Sequence, residues 1–234
     1  MSVEPIPQKQ SMTETPRQAL EPVVREKVII AGRCFLIERP AESDRLMDHP
    51  AVQSAFEAHE YLPYWTELWP AARMLAKVIM QESWPVGIEV LEVGCGLGLP
   101  GIAALTKGAR VTFSDCDLSA LCFAEINARL NGFQDFRLMP LDWHSPPAGL
   151  RVPLILASDL IYELRNINPL VALIQKILLP GGTCLLTDQD RLPAYNLRDA
   201  LDGDGLKYTT KVVHAGERGG RRARGTLYRI QLPR

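Results

Sequence analysis

The chain has 234 residues, 47% apolar and 23% charged, with a formal net charge of −1, a composition able to bury a sizeable core. The near-neutral balance argues against a global field attracting nucleic acid or an anionic membrane, and no apolar run reaches the roughly 18–20 residues of a membrane span. Cys34, Cys95, Cys116, Cys122 and Cys184 include no Cys-x-x-Cys pair, which speaks against a disulfide framework or zinc site and for buried, reduced thiols in a cytoplasmic protein.

Residues 1–22 are polar, with prolines at 5, 7, 16 and 22 and no period, and are expected to form a disordered tail. Glu4, Glu14, Glu21 and Glu26 argue against an acid-poor transit peptide. Residues 23–60 read as an extension. Val28–Ile30, the turn Ala31-Gly32 and Arg33–Ile37 predict a hairpin, and a mixed helical stretch runs from about Arg45 to Glu60. Residues 61–234 read as one domain, opened by the aromatic segment Tyr61–Pro70 and a helix to about Gln81, with Leu68, Ala72, Leu75 and Ile79 at helical spacing.

From residue 89 strands and helices alternate. Strands are predicted at Val90–Val93, Val111–Ser114, Phe136–Met139, Leu154–Ala157 and Thr183–Thr187. Helices are predicted around Gly101–Leu105, at Leu118–Leu130 and at Pro169–Leu179, with Pro180-Gly181-Gly182 as a turn. Tyr208–Val213 and Thr226–Leu232 are separated only by a loop and should pair antiparallel. The alternation implies an α/β fold, a mostly parallel sheet with helices on both faces.

The strongest local signal is Val90-Leu91-Glu92-Val93-Gly94-Cys95-Gly96-Leu97-Gly98-Leu99-Pro100-Gly101. Glycines there let the backbone turn tightly and approach a ligand, and ligands of such sheets bind beyond the carboxyl ends of the strands. Asp115 ends the next strand and can accept hydrogen bonds from ribose hydroxyls. Gly96-x-Gly98-x-x-Gly101 also fits a dinucleotide fingerprint. Three features favour a different nucleoside ligand. Glu92 stands where it can reach a ligand amino group, the chain ends in a hairpin rather than a crossover, and little sequence remains for a substrate domain.

Three further motifs follow in order: Pro63-Tyr64-Trp65-Thr66-Glu67-Leu68-Trp69-Pro70, Leu141-Asp142-Trp143, and Ala157-Ser158-Asp159-Leu160-Ile161-Tyr162. With the glycine loop they make residues 61–232 resemble the class I, seven-β-strand S-adenosylmethionine-dependent methyltransferases, and more narrowly the protein-lysine methyltransferases with an Asp-x-x-Tyr signature. The resemblance implies a Rossmann-like sheet in order 3-2-1-4-5-7-6 with strand 7 antiparallel. It implies S-adenosylmethionine as cofactor, held by Glu92, Gly94, Cys95, Gly96 and Gly98 at the methionine end and by Asp115 at the ribose. Asp142 and Trp143 would border the adenine, Ser158 would lie beside the cofactor, and Trp69 would line the pocket near the amino-acid moiety or sulfonium. Asp159 and Tyr162 would be catalytic, orienting a deprotonated amine for in-line methyl transfer without a metal. One departure stands out: Val152-Pro153 replaces the aromatic-Asp pair that enters the fourth strand in many relatives.

Structural alternatives stay open at this stage. Trp69 and Trp143 could pack the core, Asp159 could cap the next segment, Tyr162 could be a packing residue, and Cys95 could be there for its small size. His49, His59, His144 and His214 show no metal spacing. Arg218–Arg224 reads as a basic, glycine-rich loop, solvated or contacting an acidic protein or nucleic acid. The expected acceptor is a protein lysine, with a small-molecule amine as the alternative and a non-catalytic cofactor-binding protein as a third reading.

Overall fold

A computed structural model of the protein describes residues 20–59, 61–191, 194–216 and 222–232. The tail reading thus lies outside the described residues except at 20–22, where Leu20 is buried in the core. Most of the basic loop lies outside them as well, although Arg222 and Arg224 belong to a strand.

The hairpin expectation holds. Strands β1 (Val23–Ile30) and β2 (Arg33–Pro40) pair antiparallel around Ala31-Gly32. The helical stretch is two pieces, α1 (Ser43–Met47) and α2 (Pro50–His59), because Pro50 starts a new helix. Helix α3 (Pro70–Gln81) likewise carries proline in its first turn and buries Leu75 and Ile79. The alternating part comprises β3 (Glu89–Val93), α4 (Leu99–Thr106), β4 (Arg110–Asp115), α5 (Leu118–Leu130), β5 (Arg137–Pro140) and β6 (Val152–Ser158). It continues through α6 (Ile167–Ile177), β7 (Leu178–Asp188), α7 (Ala194–Gly203), β8 (Lys207–Gly216) and β9 (Arg222–Gln231).

The seven-stranded sheet has the order β5-β4-β3-β6-β7-β9-β8, with β9 antiparallel to both neighbours. Counted within the sheet this is the expected 3-2-1-4-5-7-6 topology, a Rossmann-like α/β fold. The reversal between β3 and β6 opens a crevice at the carboxyl edge. One apolar cluster lies on the face of α3, α4 and α5 and takes in the hairpin's Val28, Phe35 and Ile37. A second lies under α6 and α7. Among the described residues no helix is long and apolar enough to cross a membrane.

Two local expectations are corrected. Helix α6 stops at Ile177, and Leu178 already pairs with Val152; the register then shifts between Val152 and Leu154. Pro153, which has no N–H for the ladder, sits at that irregularity. A Cβ on Gly182 would meet the Pro153 carbonyl at 2.7 Å, so the Pro180-Gly181-Gly182 segment belongs to a close, bulged strand entry. Helix α7 was not anticipated; its Leu197 and Leu201, four residues apart, are fully buried. The thiols also differ from expectation, since only Cys95 and Cys184 are buried while Cys34, Cys116 and Cys122 are exposed, all five being free.

Candidate active site

Beyond β3 the chain turns through Gly94–Gly98 into α4. The turn is closed by the Gly98 N–H on the Cys95 carbonyl at 2.8 Å and the Cys95 N–H on the Ser114 carbonyl at 2.9 Å. Gly98 precedes α4 at φ 78°, and a Cβ there would stand 3.1 Å from Ala124 and Phe113. Only glycine combines that backbone with that approach. Asp115, at the end of β4, is 8% exposed. Its Oδ2 accepts from the Gly96 N–H at 3.0 Å and its Oδ1 from the Asp117 N–H at 3.1 Å. Burial raises its pKa to about 6 against these hydrogen bonds.

The aromatic segment is strapped over this turn. Asp117 accepts from the Trp65 indole N–H at 2.8 Å and from the Tyr61 hydroxyl, and its other oxygen caps α5 through the Ser119 N–H at 2.7 Å. The strap continues to Trp69, whose indole N–H donates to the Tyr64 carbonyl at 2.7 Å.

At the end of β6, Asp159 adopts φ 60°, a left-handed conformation that aspartate tolerates and that clusters at functional sites. Its side chain is 5% exposed. Oδ2 accepts from the Gln189 amide at 2.7 Å, and Oδ1 lies 3.2 Å from Arg191 Nη1. Burial raises the Asp159 pKa, opposed by Arg191 and Gln189. The Arg191 guanidinium lies 5.3 Å from the Trp69 ring centroid. Tyr64 meets Tyr162 edge-on at 5.3 Å and Trp69 at 6.2 Å. Burial pushes the Tyr162 phenol up to about 12.

These parts line one cavity of about 550 Å³, within the roughly 300–1,000 Å³ range of small-molecule sites. Trp69, Gly94, Cys95, Gly96, Gly98, Asp115, Asp142, Trp143, Ser158, Asp159 and Tyr162 all border it. Asp142 Oδ1 accepts from the His144 N–H at 2.9 Å on the cavity's outer side. Glu92 is the residue that the cavity does not include. It is 2% exposed, lies beneath the turn, and its Oε2 accepts from the Gly101 N–H at 3.0 Å. A Cβ on Gly101 would run into that carboxylate and Phe113. Glu92 thus ties the first turn of α4 through the Gly101 N–H, and burial holds its pKa well above the usual range.

Sequence reading missed Tyr61, Asp117, Gln189 and Arg191. Asp117 carried a signal, a carboxylate directly before the helix at Leu118. Gln189 and Arg191 follow an apolar strand that ends at the ligand edge, but nothing local says that they turn back toward Asp159.

A family model described as lysine methyltransferase matches residues 64–198, more than half of the chain. The chain belongs to this family. Lysine methyltransferases of this kind are S-adenosylmethionine-dependent enzymes on the class I fold, and the matched span contains the turn, Asp115 and the Asp159–Tyr162 edge. Over 103 residues the chain is 38% identical to ribosomal protein L11 methyltransferase of Shewanella halifaxensis (strain HAW-EB4), covering 42% of this chain and 33% of that protein. It is 31% identical over 165 residues to histone-arginine methyltransferase METTL23 of Mus musculus, covering 66% of this chain and 63% of the relative. The matches therefore span from a third to somewhat under two thirds of these relatives' lengths. Among solved structures, ribosomal protein L11 methylase from Lactobacillus delbrueckii subsp. bulgaricus superposes with a TM-score of 0.53 at 24% identity, covering 69% of this chain and 79% of that one; this likeness concerns the fold.

Proposed function

We propose that this lysine methyltransferase family member transfers a methyl group from S-adenosylmethionine to a lysine ε-amine of a protein. The observation that carries the reading is a single cavity bordered both by the glycine turn with Asp115 and by Asp159 with Trp69, Tyr64 and Tyr162. The names of the relatives, ribosomal protein L11 and histone methyltransferases, support a protein as acceptor.

The residues fit S-adenosylmethionine. The turn leaves backbone rather than side chains against the cavity, and Asp115 has lone pairs beyond those given to Gly96 and Asp117 for ribose hydroxyls. Asp142 and Trp143 would border the adenine and Ser158 would lie beside the cofactor. Glu92 would act indirectly, by fixing the turn through Gly101. When bound, S-adenosylmethionine supplies a methyl group on a sulfonium, an activated leaving group, so the chain's task is largely positioning.

A lysine ammonium has a pKa near 10.4 and must lose its proton before its lone pair can attack. Desolvation between aromatic rings disfavours the ammonium. The proton leaves to solvent before the side chain is enclosed, and the Asp159 carboxylate then accepts the neutral amine's remaining N–H bonds and holds its lone pair toward the methyl group. Tyr162 stays protonated near neutral pH and offers a phenol to fix the nitrogen's angle.

Incubating the full-length protein with methyl-labelled S-adenosylmethionine and a cell lysate, then hydrolysing labelled proteins, tests the proposal. Label recovered as methyl-lysine is expected. Label only in small molecules would replace the protein acceptor by a small-molecule amine, and no label at all would reduce the protein to a cofactor binder. Asp159→Asn, which tolerates the left-handed backbone, should slow single-turnover transfer about 100-fold while cofactor affinity stays near wild type. Equal loss of both would make Asp159 part of the cofactor pocket.

A further inference from the structure

Beside Asp159 the cavity already contains a cation. Arg191 borders the cavity, with its guanidinium over the Trp69 ring at 5.3 Å and beside Asp159 Oδ1 at 3.2 Å. The fit is incomplete. Asp159 Oδ1 is buried yet accepts no hydrogen bond, and Asp188 Oδ2 beside it is in the same condition. The Arg191 side chain remains 31% exposed. A carboxylate facing an indole recognises a positive charge, and an arginine that reaches it without an aligned hydrogen bond is a poor permanent occupant.

We propose that the slot between Trp69 and Asp159 is the binding site for the acceptor's cationic side chain, and that Arg191 is an internal stand-in which that side chain displaces. This rests on the methyl-transfer reading for its purpose, but the slot itself is a statement about cation binding. The loop of Arg191 begins where β7 ends, and the Arg191 N–H is held by Asp188 Oδ1 at 3.1 Å. The backbone is therefore anchored while the guanidinium can swing out. An internal occupant reduces the apparent affinity for any external cation by the fraction of time that it fills the slot. It also screens out neutral side chains, which cannot compete with it for Asp159.

The test uses the full chain and n-butylammonium, which has the length and charge of a lysine side chain, with n-butanol as the neutral counterpart. The indole N–H resonance of Trp69, assigned through Trp69→Phe, reports binding. Butylammonium should shift this resonance saturably in wild type, with a midpoint about tenfold lower in Arg191→Ala. Arg191→Lys, which keeps a cation, should stay near wild type, and Asp159→Asn should lose the response. Butanol should not saturate in the same range. Equal midpoints in wild type and Arg191→Ala, or butanol as effective as butylammonium, would overturn the inference. Dispersed resonances of the other tryptophans show that each variant is folded. S-adenosylhomocysteine affinity, measured separately by calorimetry, keeps the two readings apart. Its loss from wild type would sink the methyl-transfer reading alone, and tight binding without a cation response would sink the slot alone.

Discussion

Asp115 and Asp188 are carboxylates placed where solvent cannot stabilise their charge, and their consequences differ. Asp115 borders the cavity and holds the glycine turn through Gly96. Asp115→Ala removes both that tie and the acceptor for ribose hydroxyls. S-adenosylhomocysteine binding by calorimetry should weaken about 10- to 100-fold, the worth of a charge-assisted hydrogen bond of roughly 1.5–3 kcal/mol; unchanged affinity would contradict the ribose assignment. Asp188 is fully buried, and burial together with neighbouring Asp159 raises its pKa to about 6. A carboxyl whose folded pKa exceeds its unfolded value of about 3.9 binds protons more tightly when folded. Its contribution to stability is thus fully present below about pH 4 and is lost as pH rises through 6. Asp188→Asn can keep the acceptor for the Arg191 N–H while removing the titration. Urea denaturation at pH 5 and pH 7.5 should show wild type losing stability with rising pH and the variant losing less, by about 1–1.5 kcal/mol over this window. Parallel behaviour of the two proteins would mean that Asp188 does not titrate in this window.

Elements meet here through buried polar ties as well as apolar packing, and α5 carries one that joins three of them. Asn127 is fully buried; its Oδ1 accepts from the Glu38 N–H at 2.6 Å, and its Nδ2 donates to the Glu38 and Leu97 carbonyls at 3.0 and 3.1 Å. One side chain therefore ties β2, α5 and the glycine turn together. Asn131 repeats the arrangement one turn later with the N–H and carbonyl of Leu36. Truncation at Asn127 orphans buried backbone groups, each costing about 1–3 kcal/mol. Asn127→Ala should lower stability by roughly 2–5 kcal/mol in denaturant titration, with an unchanged m-value. A loss below about 1 kcal/mol would show that the hairpin is held by its apolar face alone. No local pattern announces this tie, because Asn127 sits in the interior of a helix and its partners lie 30 and 89 residues away.

For the whole molecule, alternation of apolar strands with helices made the sheet and its order legible, and the motifs around Gly94, Asp142 and Asp159 located the cavity. What stayed hidden depends on tertiary placement. Gln189 and Arg191 reach Asp159 only because β7 runs beside β6 and ends level with it, and Glu92 turns inward because the packing around Gly101 leaves room for a carboxylate and for no Cβ. The sequence also divides the chain near residue 61, treating the hairpin as an extension, and this division can be put to experiment. Val28, Phe35 and Ile37 are at most 1% exposed and join the same core as Leu99, Ile102 and Phe113. Burial of such side chains contributes about 1.5–3 kcal/mol each, and with the Asn127 and Asn131 ties the sum approaches the 5–15 kcal/mol that holds a whole domain together. A chain beginning at Ser43 should therefore fail to fold or melt at least about 10 °C below the full chain, since each kcal/mol moves the midpoint of a protein of this size by about 2–4 °C. Circular dichroism melts of both chains, alone and with S-adenosylhomocysteine, give the comparison. Rescue of the shortened chain by ligand would place the hairpin's role in stabilising the glycine turn through α5, whereas an unchanged melt and unchanged ligand binding would make residues 43–234 self-sufficient and the hairpin an ornament on them.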